Sequence, residues 1–251
     1  MKRVILFLLA VACLLSLCAC GSEDGTVNVG DTVSFGTYEQ DGDASNGKEA
    51  IEWTVLAVDG SKALLVSNYA LTCRTYNDEF KNITWDDCSL RDWLNNEFYA
   101  AAFTSAEQAQ IQSVKLENAD NRWSDTKGCD DTKDSVFLLS LEEIMEYYNL
   151  TEDDIDNRLV VDALKVPYTA VAQEEYDRAA ADWGYNEDDF EHLTDEYSST
   201  SDEPYSWWWL RSVGGSNLHA ATVLQDGFVR YFGYYVDYTF GAVRPAVWVE
   251  F

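Results

Sequence analysis

Cys20 is the residue whose sequence context defines its chemistry most narrowly. It follows a short basic start at Met1–Arg3 and an apolar run at Val4–Leu17. An apolar run of this length is typical of a signal peptide and is too short for a membrane-spanning helix, which needs about 20 residues. The four residues LCAC (Leu17–Cys20) have the pattern of a lipobox, in which the final cysteine receives diacylglycerol on its thiol. We therefore predict a lipoprotein signal peptide at residues 1–19 and a lipid anchor on the extracytoplasmic side of a bacterial cell membrane. The alternative is an ordinary secretory signal peptide.

The composition of the remaining chain predicts one large acidic domain. The chain has 251 residues, of which 45 are acidic and 17 basic, and its formal net charge is −28. This charge repels nucleic acid, so nucleic-acid binding is excluded. Residues 20–28 are small and polar, as expected of a lipidated tether, and residues 29–251 contain enough apolar side chains for a single domain. The acidity favours either solubility or the binding of cations and cationic partners.

Motifs that carry catalysis are absent from the sequence. The chain has two histidines, His192 and His219, and it lacks G-x-S-x-G, P-loop, H-E-x-x-H and C-x-x-C patterns. Its acidic residues are too numerous for any pair to indicate a glycosidase. We therefore expect no catalytic residue and no cofactor, and calcium is the one ion to consider.

Two acidic segments contain the oxygen ligands that calcium prefers. Asp41, Asp43, Ser45 and Glu52 stand at positions 1, 3, 5 and 12 of a calcium-loop pattern, although Asn46 replaces its glycine. The second segment contributes Asn118, Asp120, Asp125, Asp130, Asp131 and Asp134. Solvated acidic loops explain both segments better, so no metal site is predicted.

Three cysteines follow the predicted lipidation site: Cys73, Cys88 and Cys129. An odd number leaves one thiol unpaired outside the cytoplasm. We predict a disulfide between Cys73 and Cys88, because it would close the short loop Arg74–Asp87 and contribute about 3 kcal/mol. The alternative is that all three cysteines remain reduced.

The C-terminal segment has a dense group of aromatic side chains. Because side chains alternate along a strand, Trp207 and Trp209 share a face with Arg211. One face must enter the core, and the other would present aromatic rings to a ligand unless both faces are buried. The predicted ligand-binding residues are Trp207, Trp209, Tyr231, Tyr234, Tyr235 and Tyr238.

Two arginines lie in otherwise apolar strands. A buried guanidinium needs a partner. We therefore expect Arg211 and Arg244 to form structural ion pairs with acids such as Glu52, Asp226 or Asp237.

The elements that position these residues follow from periodicity and capping residues. Strands are predicted at Thr32–Tyr38, Glu52–Val58, Lys62–Leu71, Trp207–Ser212, His219–Leu224, Phe228–Phe232 and Ala242–Phe251, with hairpin turns at Asp59-Gly60 and Asp226-Gly227. Helices are predicted after the capping boxes Ser89/Asp92, Thr104/Glu107 and Ser140/Glu143, and at Gln173–Asp182 inside an acidic insertion at residues 151–204. This order predicts an α+β domain with two to four helices, small twisted antiparallel sheets and pairing of the first and last strands.

The same C-terminal motifs also carry a family resemblance. WWLRS (Trp208–Ser212), AATVLQDGFV (Ala220–Val229) and AVRPAVW (Ala242–Trp248) resemble the end of a bacterial domain family of unknown function found in secreted and lipid-anchored proteins. The ending is also similar to C-type-lectin-like folds of the formylglycine-generating-enzyme type. That resemblance implies a C-type-lectin-like domain with a ligand surface on its C-terminal segments. It does not imply the oxidase, because no cysteine follows Cys129.

These observations favour a non-catalytic surface lipoprotein that binds an extracellular glycan or protein. An envelope-polymer hydrolase or transferase with an unidentified carboxylate pair is the second hypothesis. A structural module of an envelope complex is the third.

Lipidation at Cys20 can be tested by metabolic labelling with a fatty-acid analogue. The wild-type protein should be labelled and the Cys20→Ser protein should not, because the thiol is the acceptor. Equal labelling of the two proteins would contradict the prediction.

Overall fold

The computed structural model describes residues 26–182 and 205–251. The strands are β1 (Thr32–Tyr38), β2 (Glu49–Asp59), β3 (Lys62–Ser67), β4 (Thr72–Cys73), β5 (Ile111–Gln112), β6 (Val114–Leu116), β7 (Thr132–Asp134), β8 (Val166–Pro167), β9 (Tyr205–Ser206), β10 (Trp208–Val213), β11 (His219–Val223), β12 (Val229–Tyr235), β13 (Ala242–Val243) and β14 (Ala246–Glu250). The α-helices are α1 (Ser89–Trp93), α2 (Tyr99–Ala102), α3 (Ser105–Gln108), α4 (Leu141–Tyr147), α5 (Glu152–Asp156) and α6 (Ala170–Asp182). The arrangement is α+β, with several small, mainly antiparallel sheets and few helices.

The first sheet has the strand order β1-β2-β3-β14-β5 and is antiparallel throughout. The predicted hairpin between β2 and β3 turns at Asp59-Gly60, where Gly60 has φ +60°. The last strand pairs with β3 and β5, whereas β1 pairs with β2. The predicted pairing of the first and last strands is therefore wrong. Residues Ala63–Val66 are all buried, so β3 takes a central position and accepts β14 on its second edge.

The second sheet has the order β12-β11-β10-β13-β4. It includes one parallel pair, between β10 and β13. The predicted strand Ala242–Phe251 is divided between the two sheets, since β13 and β14 are separated by Arg244 and Pro245. Proline has no backbone N–H to donate, which disfavours a continuous strand here. The strand predicted at Lys62–Leu71 is shorter in the structure, because β3 ends at Ser67. The chain then passes to the second sheet, where it forms β4.

The two crossing segments lie side by side and join the sheets. The segment β3–β4 pairs with β14 in the first sheet and with β13 in the second. Between them, Arg244 Nε donates to the carbonyl oxygen of Ser67 (2.9 Å), and its guanidinium lies 4.9 Å from the Trp208 ring centre. Within the described residues no carboxylate pairs with Arg244, so the predicted ion pair is not formed. Besides the two contacts above, Arg244 Nη1 donates to Tyr148 Oη (3.4 Å).

The helices confirm two of the three predicted capping boxes. Thr104 with Glu107 begins α3, and Ser140 with Glu143 begins α4. The helix that starts at Ser89 is capped instead by Cys88, whose Sγ accepts from Arg91 N (3.4 Å). It continues through a π-helical turn at Leu94–Phe98 into α2.

The described part of the acidic insertion packs against the domain. It contains α5, α6 and β8, and β8 pairs with β9. Its own side chains Ile155, Leu164, Val166 and Ala172 are buried in the contact. The predicted helix Gln173–Asp182 lies inside α6. None of the helices within the described ranges is long and apolar enough to span a membrane.

Arg211, on β10, is a charged residue that is buried among apolar side chains and is only 3% exposed. Its Nη2 lies 2.8 Å from Glu143 Oε1, and its Nη1 bonds both Glu143 and the carbonyl oxygen of Leu138. The ion pair is thus with Glu143, and not with Glu52, Asp226 or Asp237. Because Glu143 also completes the cap of α4, one carboxylate holds both the helix and the strand β10.

Removal of this carboxylate should strongly destabilise the fold. We expect Glu143→Ala to lower the free energy of unfolding by about 3 kcal/mol, because it leaves a buried charge without its partner. Urea denaturation measures the change. Glu146→Ala, at an exposed position of the same helix, is the matched control and should change stability by at most about 0.5 kcal/mol. Equal losses in the two variants would show that the pair contributes nothing specific.

Candidate functional site

The tryptophans of the C-terminal segment lie in the core. Trp207, Trp208 and Trp209 are 2%, 0% and 0% exposed. Trp208 Nε1 donates to the Leu164 carbonyl (3.2 Å), and Trp209 Nε1 donates to the Arg74 carbonyl (2.9 Å). Other chain segments therefore cover both faces of this part of the sheet. The prediction that Trp207 and Trp209 contact a ligand is wrong, because neither ring reaches the surface.

The four predicted tyrosines differ in their surroundings. Tyr234 is partly buried, 4.8 Å from the Trp207 ring and 4.5 Å from the Arg230 guanidinium. Tyr238 stacks on the ring of Phe240, and both Tyr234 and Tyr238 have further interactions. Tyr231 stacks on Trp123 at 5.3 Å. Of the four tyrosines, Tyr235 is the most exposed, with 40% of its surface accessible to solvent.

Tyr235 belongs to a group of three surface rings that we call the aromatic platform: Phe80, His219 and Tyr235. The His219 ring stacks on Tyr235 at 4.3 Å with an interplanar angle of 29°. Phe80 meets Tyr235 edge-on at 5.3 Å and is itself 55% exposed. Rings from three separate chain segments thus meet at the surface of the protein.

Backbone hydrogen bonds hold the platform together. His219 and Tyr235 are direct partners across β11 and β12. The loop that carries Phe80 is attached at both ends, because Asn77 N donates to the Val236 carbonyl (2.8 Å) and Ile83 N donates to the Asn217 carbonyl (2.9 Å). The rings are therefore positioned before any ligand arrives.

The platform is electrically neutral near pH 7. Burial, followed by the positive charge of Arg230, lowers the pKa of His219. The imidazole is then uncharged at neutral pH, and its Nδ1 lies 2.8 Å from Ser216 Oγ. Sequence reasoning did not select Phe80, although a single large apolar residue inside the polar stretch NDEFKN was a usable signal.

A polar groove of about 520 Å³ lies beside α1 and is lined by several acidic side chains. Its walls include Asp86, Asp87, Asp92 and Asp134. Asp134 is 1% exposed and already accepts from Arg91 Nε (2.7 Å) and Trp85 Nε1 (2.9 Å). That carboxylate is therefore occupied in structural bonds and is not available as a member of a catalytic pair.

The first acidic segment uses its carboxylate oxygens in hydrogen bonds within the segment. Asp41 Oδ1 accepts from Asp43 N (2.8 Å), and this backbone bond is the main cause that lowers the pKa of Asp41. Asp43 in turn accepts from Ser45 N (3.0 Å). Glu52 lies on β2, opposite Ser34. Within the described residues, the three carboxylates whose oxygens lie within 4.8 Å of one another are those of Glu39, Asp41 and Glu49, a set that shares only Asp41 with the calcium-loop pattern.

The second acidic segment has no comparable cluster within the described residues. Three of its carboxylates pair with separate basic side chains: Asp120 with Lys127, Asp131 with Lys115, and Asp134 with Arg91. Ion pairing therefore accounts for these acids.

Comparison with known protein families identifies a match over most of the chain. A family model described as a domain of unknown function (DUF6273) matches residues 60–251 of the 251-residue chain. The matched range includes the platform and all of the second sheet, while β1 and β2 precede it. No curated protein and no solved structure matches the chain significantly.

The three described cysteines are free thiols. Cys73 Sγ lies 3.3 Å from the Ala172 carbonyl beneath α6, whereas Cys88 caps α1. The predicted disulfide between Cys73 and Cys88 is therefore not formed, because each thiol is engaged by a different helix. Burial raises the pKa of Cys73 well above its usual range, that of Cys88 to about 12 and that of Cys129 to about 11.

These environments predict slow and ordered alkylation. At pH 8 each raised pKa keeps its group in the thiol form, and only the thiolate attacks iodoacetamide. We expect Cys129, which is half-buried, to react first and Cys73 and Cys88 to react after denaturation, as measured by peptide mass spectrometry. Denatured protein, in which all three react alike, is the control. Rapid labelling of Cys73 or Cys88 in native protein, or a disulfide between them, would contradict the structure.

Proposed function

We propose that this chain, which belongs to the DUF6273 family of domains of unknown function, is a non-catalytic surface lipoprotein that binds an extracellular glycan. The aromatic platform is the observation that carries the proposal. The predicted lipid on Cys20 and the tether at residues 20–28 would hold the domain at the outer side of the membrane.

The chemistry of exposed rings supports a sugar as the ligand. The face of an aromatic ring carries partial negative charge, and the C–H groups on one side of a sugar ring carry partial positive charge, so the two stack. Phe80 and Tyr235 are both exposed and in mutual contact, and His219 supports Tyr235 from one side. Rings held in place lose little conformational entropy on binding, which favours affinity.

Polar groups next to the rings support the same interpretation. Tyr235 carries a hydroxyl group, and the Ser216–Leu218 turn beside His219 contributes the partly exposed Ser216 and Asn217. Such groups are donors and acceptors for sugar hydroxyls. The sheet-rich α+β arrangement is compatible with the C-type-lectin-like fold, which we keep as part of this proposal.

The proposal predicts that the platform rings are binding hot spots. A screen of the purified protein on glycan and protein arrays would identify the ligand. Tyr235→Ala and Phe80→Ala should each weaken binding of a glycan identified there by about tenfold, or ~1.4 kcal/mol. The melting temperature should shift little, because exposed side chains contribute little to folding.

Tyr69→Ala is the matched control, because Tyr69 is also 40% exposed but lies outside the platform. It should leave binding unchanged. Equal binding by wild type, Tyr235→Ala and Phe80→Ala would refute the proposed site. Hits confined to the protein array would favour a protein ligand or the structural-module hypothesis.

A further inference from the structure

A second concave site lies where α5 packs beside the β11–β12 hairpin. The chain after α5 approaches the hairpin closely, since Val160 forms an isolated antiparallel bridge with Phe228. At Gly227 a β-carbon would come within 2.2 Å of the Val161 carbonyl oxygen, so only glycine fits there. The cleft beside this contact has a volume of about 180 Å³. It shares no residue with the aromatic platform.

The walls of the cleft are mostly apolar. Ile155 and Phe228 are buried, at 3% and 6% exposure, whereas Phe232 at its edge is 53% exposed. The Tyr231 ring lies 4.6 Å from the Phe232 ring and stacks on Trp123. Such a combination of buried and exposed rings leaves an apolar surface accessible to a ligand.

The tyrosine side of the cleft is rigid. Asn121, which is 1% exposed, donates its amide to the Tyr231 carbonyl (2.9 Å) and to the Val213 carbonyl (2.8 Å). The Phe232 ring packs directly over Gly215, where a β-carbon would lie 2.6 Å from the ring. These contacts hold both rings in place and so reduce the entropic cost of binding.

The charged groups in the cleft are two arginines and one aspartate. Arg158, Arg230 and Asp156 line it, which gives a net positive lining in a chain whose net charge is −28. Both arginines have other interactions, including the stacking of Arg230 on Tyr234 at 4.5 Å. A guanidinium has five N–H donors in its plane. An arginine that stacks on a ring or donates to one partner therefore still has N–H groups that can donate to a bound carboxylate.

We propose that this cleft binds a single six-membered ring that carries one carboxylate. The volume fits one ring, because a cavity of about 150 Å³ in another protein accommodates benzene. The ring would lie against Ile155, Phe228 and Phe232, and the carboxylate would accept from Arg158 and Arg230. An aromatic acid and a sugar acid share this chemistry.

Isothermal titration calorimetry with four probes tests the proposal on the purified protein. Benzoate and glucuronate supply the two kinds of acidic ring, and benzyl alcohol and glucose are their neutral counterparts. We expect at least one acid to bind with a Kd on the order of 1 mM, and about tenfold more tightly than its neutral counterpart. Which acid binds decides between an aromatic acid and a sugar acid.

Substitutions of the lining residues test whether the acid binds in this cleft. The substitutions Arg158→Gln, Arg230→Gln and Phe232→Ala should each weaken binding of the acid by about tenfold. The control Lys48→Gln removes a positive charge elsewhere and should leave binding unchanged. Tyr235→Ala should also have no effect, which separates this site from the platform. Circular dichroism checks that each variant is folded. No saturable binding of either acid, or equal binding of acid and neutral probe, would overturn the proposal.

Discussion

The rest of the structure depends on the buried guanidinium of Arg211. A charge removed from water must be compensated by several partners, and the partners of this guanidinium come from two other parts of the chain, residue 117 and residues 138–143. Leu138 and Glu117 contribute carbonyl oxygens, and Glu143 contributes both carboxylate oxygens. The carbonyl oxygen of Arg211 accepts from Tyr76 Oη at 2.8 Å. One residue of β10 therefore fixes the positions of α4 and two separate loops, and a shift of any of them would leave the charge without compensation.

The junction of the two sheets explains why the aromatic strand is a core element. The chain crosses from the first sheet to the second after Ser67 and returns at Pro245, and the paired segments bring Arg244 onto Trp208. The strand β10 lies next to this crossing, with the acidic insertion over part of it through the bond from Trp208 to Leu164. The many aromatic residues in this segment are therefore explained by burial on both faces of β10. The exposed rings of the second sheet lie instead on β12.

Both proposed sites use β12, the edge strand of the second sheet. The platform lies at Tyr235, and the cleft lies at Tyr231 and Phe232, four and three residues earlier along the strand. At about 3.4 Å per residue these positions lie roughly 10 to 14 Å apart along the strand.

The sequence by itself determined the features that need only a few consecutive residues. The hairpin turn at Asp59-Gly60 and the capping box at Ser140–Glu143 are local hydrogen-bonding arrangements, and the structure contains both. The tertiary structure decided which faces are buried and which residues meet. Trp209 is covered by distant segments, and Phe80 reaches Tyr235 only because its loop is bonded to the second sheet. Burial and ring contacts are sums over residues far apart in the chain, and alternation within one strand contains no information about what will cover it.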